Sequence, residues 1–389
     1  MGSRIPARRG HFVPLTSESA VTAQGAARAS LLPREYFTGR RRGGRPESHR
    51  AGEPRGNRAC GRVVPPRGGG GDRSAGRTTA PQRAAYGSGV SRRVIQTPPG
   101  VAFPGQAVDR RAVDILLDAH RHTPLVTELF GRLGVTGAGQ IDFADTRAGQ
   151  PCTYAAGLLS AWQQFGTGAD HPVTLGHSLG EMTSLVYAGA LDPLQGLDLL
   201  FELGEVGHEQ DLRRPSRLVV LMGLDLSEVD RVCRLAVVET GAVLEPSGFN
   251  GPTQTILCGD AKAAQVAADL ARARGATVRL LPIRGAYHCS LMTELLPRWQ
   301  FAVGRMEFRT PRIPVVSSVD GRCRVTADGL MELLTRWLLL PVRWSDAVTA
   351  ARDAGATALV DAGPGEILRD ISRRGSALAF VRTSEMETS

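Results

Sequence analysis

Ser178 stands in the run Gly176-His177-Ser178-Leu179-Gly180, the G-x-S-x-G spacing of a nucleophile elbow. Glycines on either side let a strand turn sharply into a helix. That lifts a serine hydroxyl to the helix N-terminus, where the following backbone N–H faces a developing oxyanion. An apolar strand, PVTL, precedes the motif and a helical pattern follows it, so the context fits. The same five residues also occur as an ordinary glycine-rich turn, so the motif needs support. A serine is a poor nucleophile without a base. Of the eight histidines, His11, His49, His120 and His122 lie upstream or on a first-helix face. His171 and His177 border the elbow, and His208 ends a helix. His288, in RGAYHCSLM, sits where an inserted segment returns to the main body, and a loop at such a junction suits a base that must meet a nucleophile.

The elements that would position this pair read as α/β. VIQTPPGVAF holds a short strand, and helical patterns follow in RAVDILLDAHRHTPLVTELFGRLG and in QPCTYAAGLLSAWQQFG, the latter opened by Pro151 and stopped by Gly166. HPVTLGHSLGEMTSLVYAGAL reads as strand, tight turn and helix, and Pro193 opens another helix. Residues 213–284 read as βαββαβ, with a strong helix in AKAAQVAADLARARG, which predicts a ferredoxin-like insert. RIPVVSSV, DGLMELLTRWLLLPV, WSDAVTAARDAG, ALVDAG and PGEILRDISRRG then read as strand, helix, helix, strand and helix. The expected fold is an α/β-hydrolase-like body with a mostly parallel sheet and an inserted α+β subdomain.

Charge divides the 389-residue chain. Its formal net charge is +9. Residues 1–93 carry 19 arginines against five acids, a net +14, which leaves the remainder at −5. The Arg/Gly/Pro-rich first 93 residues have too little apolar surface to offset ordering and read as disordered. Three origins stay open: a start placed too far upstream, a transit peptide, or a nucleic-acid tail, the last short of aromatic residues for base stacking. The body from 94 to 389 offers nothing for nucleic acid. No apolar run is long enough to span a membrane. Six cysteines without a C-x-x-C pair argue against a zinc site or disulfide scaffold and point to a reducing compartment. A cytoplasmic monomer is expected, organellar if the first segment is a transit peptide.

Seven ordered blocks carry a resemblance: VAFPGQ (101–106), GQP (149–151), GHSLGE (176–181), FNGPTQTILCG (249–259), YHCSLM (287–292), PVRW (341–344) and DAGPGEIL (361–368). Across residues 98–378 the chain resembles the malonyl-CoA:acyl carrier protein transacylases and the acyltransferase domains of polyketide and fatty-acid synthases. The resemblance implies an acyltransferase domain over 94–389 that forms an acyl-serine at Ser178, with His288 as base held by a backbone carbonyl. It implies an oxyanion hole from the N–H groups of Gln106 and Leu179, and pocket positions Gln150 and Asn250. The donor would be an acyl thioester on coenzyme A or a carrier protein, and the acceptor the phosphopantetheine thiol of an acyl carrier protein. No metal or redox cofactor would be bound.

Departures from the family pattern matter as much. The arginine that holds a malonyl carboxylate is replaced by Leu203, before Gly204, and a guanidinium fork suits a carboxylate as leucine cannot. Trp337 stands where the family usually has glutamine, and Tyr287 precedes the histidine in an unfamiliar Gly285-Ala286-Tyr287 run. Ala107 replaces a glycine. An acyltransferase no longer selective for malonate is therefore expected. Ordinary malonyl transfer, with Arg213 or Arg284 replacing the lost arginine, remains an alternative. So does an editing thioester hydrolase, for which Asp230 or Asp260 would be the acid of a Ser-acid-His set. Arg298, Arg305, Arg369, Arg373 and Arg374 are candidate contacts for an acidic carrier protein.

Overall fold

The computed structural model describes residues 98–106, 108–167, 170–373 and 375–382. The readings on residues 1–93, Ala107 and Arg374 fall outside them.

Strand β1 (Gly100–Phe103) is buried throughout. The amphipathic stretch after it forms two helices, α1 (Arg110–Ala119) and α2 (Pro124–Leu133), rather than one. Pro124 cannot continue a helix but suits the first turn of a new one. Helix α3 (Thr146–Phe165) starts five residues before Pro151, capped by Asp145, whose carboxylate accepts from the Arg147 N–H. Pro151 lies inside it, so its expected role as helix opener is corrected. Fourteen consecutive-region residues of α3 from Thr146 to Ala161 are buried, which hid any amphipathic period from the sequence. Strand β2 (Thr174–Gly176), helix α4 (Gly180–Tyr187) and helix α5 (Pro193–Arg213) follow as read.

The insert has β3 (Ser216–Met222), α6 (Leu226–Thr240), β4 (Leu244–Gly251), β5 (Gln254–Asp260), α7 (Ala261–Arg272) and β6 (Thr277–Leu280). Its strands lie in the order β6-β3-β5-β4, every neighbouring pair antiparallel, the ferredoxin-like arrangement the βαββαβ pattern implied. Alternation along β3 divides its faces. Val219 and Leu221 pack with α6 and α7, whereas Leu218 and Val220 join the main core.

The rest of the chain returns to the body. Helix α8 (Leu296–Gly304), which the sequence reading did not pick out, is followed by β7 (Val315–Val316), β8 (Cys323–Arg324) and α9 (Ala327–Trp337). Then come β9 (Val342–Arg343), α10 (Trp344–Asp353), β10 (Leu359–Asp361), the short α11 (Ile367–Ile371) and β11 (Phe380–Val381). The body sheet runs β11-β10-β1-β2-β7-β8, parallel except for β7 with β8. Strand β9, from PVRW, pairs parallel with β4 and gives the insert's sheet a fifth strand.

Candidate active site

Ser178 occupies the turn between β2 and α4. A Cβ on Gly176 would lie 2.0 Å from the Gly180 carbonyl, and one on Gly180 would lie 2.1 Å from the Phe103 oxygen. Neither position accepts a side chain. The turn forces Ser178 to φ 53°, and His288 adopts φ 61°. They are the only non-glycine residues with positive φ among the described residues. Such conformations cost free energy and concentrate at functional sites.

The two side chains meet. Ser178 Oγ lies 2.9 Å from His288 Nε2. His288 Nδ1 lies 2.8 Å from the Leu340 carbonyl oxygen. A carbonyl accepts only, so Nδ1 carries the proton, and the Nε2 lone pair is left to receive the serine hydroxyl. Burial pushes the His288 pKa down to about 4, so the ring is a neutral base at pH 7. The resemblance implies a backbone contact from the Trp337 position; the 2.8 Å hydrogen bond comes from Leu340, and the Trp337 backbone also acts on the ring, both opposing the fall in its pKa. The Trp337 ring stands edge-on to His288, centroids 4.4 Å apart at 69°. Asp230 and Asp260 do not reach the histidine. Asp230 pairs with Arg234, and Asp260 pairs with Arg214 and receives the Val243 N–H.

Ser178 and His288 open into a cavity of about 180 Å³. Gln106, Gln150, Leu179, Leu203, Asn250, Tyr287 and Trp337 all line it, so the nine positions read from the sequence converge on one site. The N–H groups of Gln106 and Leu179 donate to no protein acceptor among the described residues, which leaves both free for an oxyanion. Asn250 Oδ1 lies 2.8 Å from His177 Nε2. His177 is buried and its pKa is lowered by that burial, so it donates from the neutral ring. Asn250 is thus held in the wall beside the elbow.

Leu203 is buried against the cavity. Beside it the Tyr287 hydroxyl lies 2.8 Å from Thr146 Oγ1 and accepts from Gln150 Nε2 at 2.6 Å. Gly207, one helical turn after Leu203, makes room for that hydroxyl, because a Cβ there would fall 1.7 Å from it. Among the described residues no cation lines this corner. Arg213 pairs with Glu209 and Glu294, and Arg284 is exposed and lines no part of the cavity. The lining contains one arginine, Arg279, exposed on edge strand β6. The far wall is the inner face of the insert sheet: Leu218, Val220, Met222 and Ile256, with Leu281 and Ile283 beyond β6. The sequence reading missed this wall, along with Thr146, Gly207, Arg279 and the Leu340 carbonyl. The alternation in RLVVLMGL could have flagged the wall, since strand residues two apart share a face. A backbone carbonyl has no residue type to find.

Comparison with known proteins shows the family. The acyl transferase domain model matches residues 136–382. A malonyl CoA-acyl carrier protein transacylase of Escherichia coli O157:H7 is 30% identical over 286 residues, covering 70% of this chain and 91% of the relative. The chain belongs to the malonyl-CoA:acyl carrier protein transacylase family. The Coxiella burnetii transacylase shares its fold at a TM-score of 0.66 and 24% identity, over 76% of this chain and 97% of that one. A malonyl-transacylase solved in complex with its type II polyketide synthase acyl-carrier protein aligns at a TM-score of 0.64 and 28% identity, over 74% of this chain and 97% of that one. Members of the family share the mixed α/β architecture described above. No helix among the described residues is long and apolar enough to cross a membrane.

Proposed function

We propose that this acyltransferase moves an uncharged acyl group from a coenzyme A or carrier-protein thioester, through an ester on Ser178, to the phosphopantetheine thiol of an acyl carrier protein. The observation that carries the reading is the Ser178–His288–Leu340 chain opening into a cavity whose Leu203 corner has no guanidinium.

Each half-reaction balances. Ser178 Oγ attacks the thioester carbonyl carbon while its proton passes to His288 Nε2. The oxyanion is received by the Gln106 and Leu179 N–H groups, and the Leu340 carbonyl steadies the imidazolium. The C–S bond breaks, His288 returns the proton to the departing thiolate, and the acyl ester remains. The carrier's thiol then gives its proton to His288 and attacks the ester, and Ser178 leaves with the proton restored. No step calls for a metal or redox group. Both donor and acceptor arms carry a phosphate, and Arg279, which has no ion-pair partner among the described residues, supplies a cation at the exposed edge of the cavity.

Neutral-acyl selectivity follows from desolvation. A malonyl carboxylate beside Leu203 would be buried without a charged partner, a cost of several kcal/mol. The test is intact-protein mass spectrometry of Ser178 after brief exposure to malonyl-, acetyl- and butyryl-CoA, with Ser178→Ala as control. The neutral donors should load at least about tenfold faster. Faster malonyl loading overturns the selectivity. Release of free acid at the rate of loading, with carrier protein present, would identify a hydrolase instead.

A further inference from the structure

His288 is set by the last residue of α9 and the turn after it, which supply the Trp337 ring and the Leu340 carbonyl. That end of the helix is itself tied to the nucleophile. Trp337 Nε1 donates to Glu181 Oε2 at 3.2 Å, and Glu181 lies in the first turn of α4, three residues beyond Ser178. Ser318 Oγ donates to the same oxygen at 2.9 Å. A closed circuit results: Ser178, α4, Glu181, Trp337, Leu340, His288 and back to Ser178. Glu181 is completely buried, and its other oxygen, Oε1, has no hydrogen-bond partner among the described residues.

A buried carboxyl with a bare oxygen costs stability. An apolar side chain would fill that space without the cost, so the group calls for a use. We propose that Glu181 is a positioning residue for the Ser178–His288 pair: through the Trp337 indole it fixes the end of α9 that aims the catalytic imidazole. The assignment extends the proposed acyl transfer but depends only on an activated serine. Glu181 does not touch His288 and takes no part in the proton transfers.

The tie depends on protonation. The ionised carboxylate accepts from Trp337 and Ser318 together at one oxygen, and protonation weakens both bonds. Burial pushes the Glu181 pKa up to about 7, partly countered by Ser317 and Ser318. The charged groups acting on it are Arg324 and Asp320, which are ion-paired with each other at 2.5 Å. Reactivity of Ser178 should therefore step down as pH falls through about 7, well above the loss expected from His288 near 4.

The experiment measures the rate at which a fluorophosphonate labels Ser178 between pH 4 and 9 in the full chain. This probe needs the activated serine but no acyl donor, so its outcome is independent of the acyl-transfer reading. That reading fails separately if Ser178 labels while no thioester loads it. Wild type should show the step near neutrality. Glu181→Gln keeps a carbonyl acceptor for Trp337 and should label at close to the wild-type rate at pH 8, with the step gone. Trp337→Phe keeps an aromatic ring in a smaller form and removes the N–H. It should label about tenfold slower at pH 8, also without the step, while melting near the wild-type temperature. A step that survives in Glu181→Gln, or a wild-type profile in Trp337→Phe, overturns the proposal.

Discussion

Leu203→Arg tests why this pocket should refuse a carboxylate. The leucine side chain is 1% exposed and lines the cavity beside Tyr287 and Gln150. An arginine there would present its fork at the position the family resemblance implies for a malonyl carboxylate. Hydrogen bonds to a charged group contribute about 1.5–3 kcal/mol each. Allowing for the desolvation of both ions, a net gain of about 3 kcal/mol for malonyl corresponds to about a hundredfold in kcat/KM. The same fork without a ligand is a buried, unpaired cation, so the free variant should lose about 3 kcal/mol of stability. A protein of this size would melt lower by several degrees. Three measurements follow: kcat/KM for malonyl- and acetyl-CoA by acyl-Ser178 mass, the melting temperature alone, and the melting temperature with malonyl-CoA. The malonyl-to-acetyl ratio should rise about a hundredfold, and malonyl-CoA should restore much of the lost melting temperature. An unchanged ratio in a folded variant, or a wild type that already prefers malonyl, would refute the reasoning about Leu203.

Other outcomes follow from the same site. Gly207→Ala should drive the Tyr287 ring into the cavity, because the new Cβ would fall 1.7 Å from its hydroxyl. Acyl loading should drop about tenfold or more, and Tyr287→Ala on that background should restore it. Arg279→Ala should raise KM for CoA thioesters several-fold with little change in kcat, since the side chain sits at the exposed edge strand. If malonyl loading instead disappears in this variant alone, Arg279 is the carboxylate partner. His288 is held near 4 by burial, below its unfolded value of 6.5. The unfolded chain therefore binds the extra proton between those values, and the ring's contribution to stability falls as pH drops from about 6.5 to 4. Melting curves of wild type and His288→Gln across that interval should show the smaller acid loss in the variant.

The candidate site residues were more legible than the frame around them. Ser178 was readable from the glycines that frame it, whereas His288, one of eight histidines, stood out only through the family resemblance. The βαββαβ insert was readable because its strands alternate and α7 is capped by a clear stop. The start of α3 was not, because its buried surface has no polar face and Pro151 mimics a first turn. Tyr287 stood out as unfamiliar, but its partner Gly207 did not, since a helical glycine signals nothing until something is seen to fill the space. Glu181, within GHSLGE, gives no signal of its role in the sequence, because only the fold brings Trp337 and Ser318 to it. The missing arginine at 203 was visible, whereas Arg279, reaching the cavity from another strand, was not.

The left-handed backbone of Ser178 and His288 has a consequence for how such a chain could decay. At φ 53° and 61° glycine would relieve about 1 kcal/mol at each position. Ser178→Gly should thus yield a dead protein that tolerates the elbow's geometry better than the native serine. Mutation left to itself would run downhill at these two sites, toward a calmer and chemically silent fold. A lineage that stopped using this cavity would be expected to lose its serine and histidine early, while the surrounding core stayed intact. Among the described residues both side chains stand at the positions where the backbone least welcomes them, which supports the reading that this chain uses them.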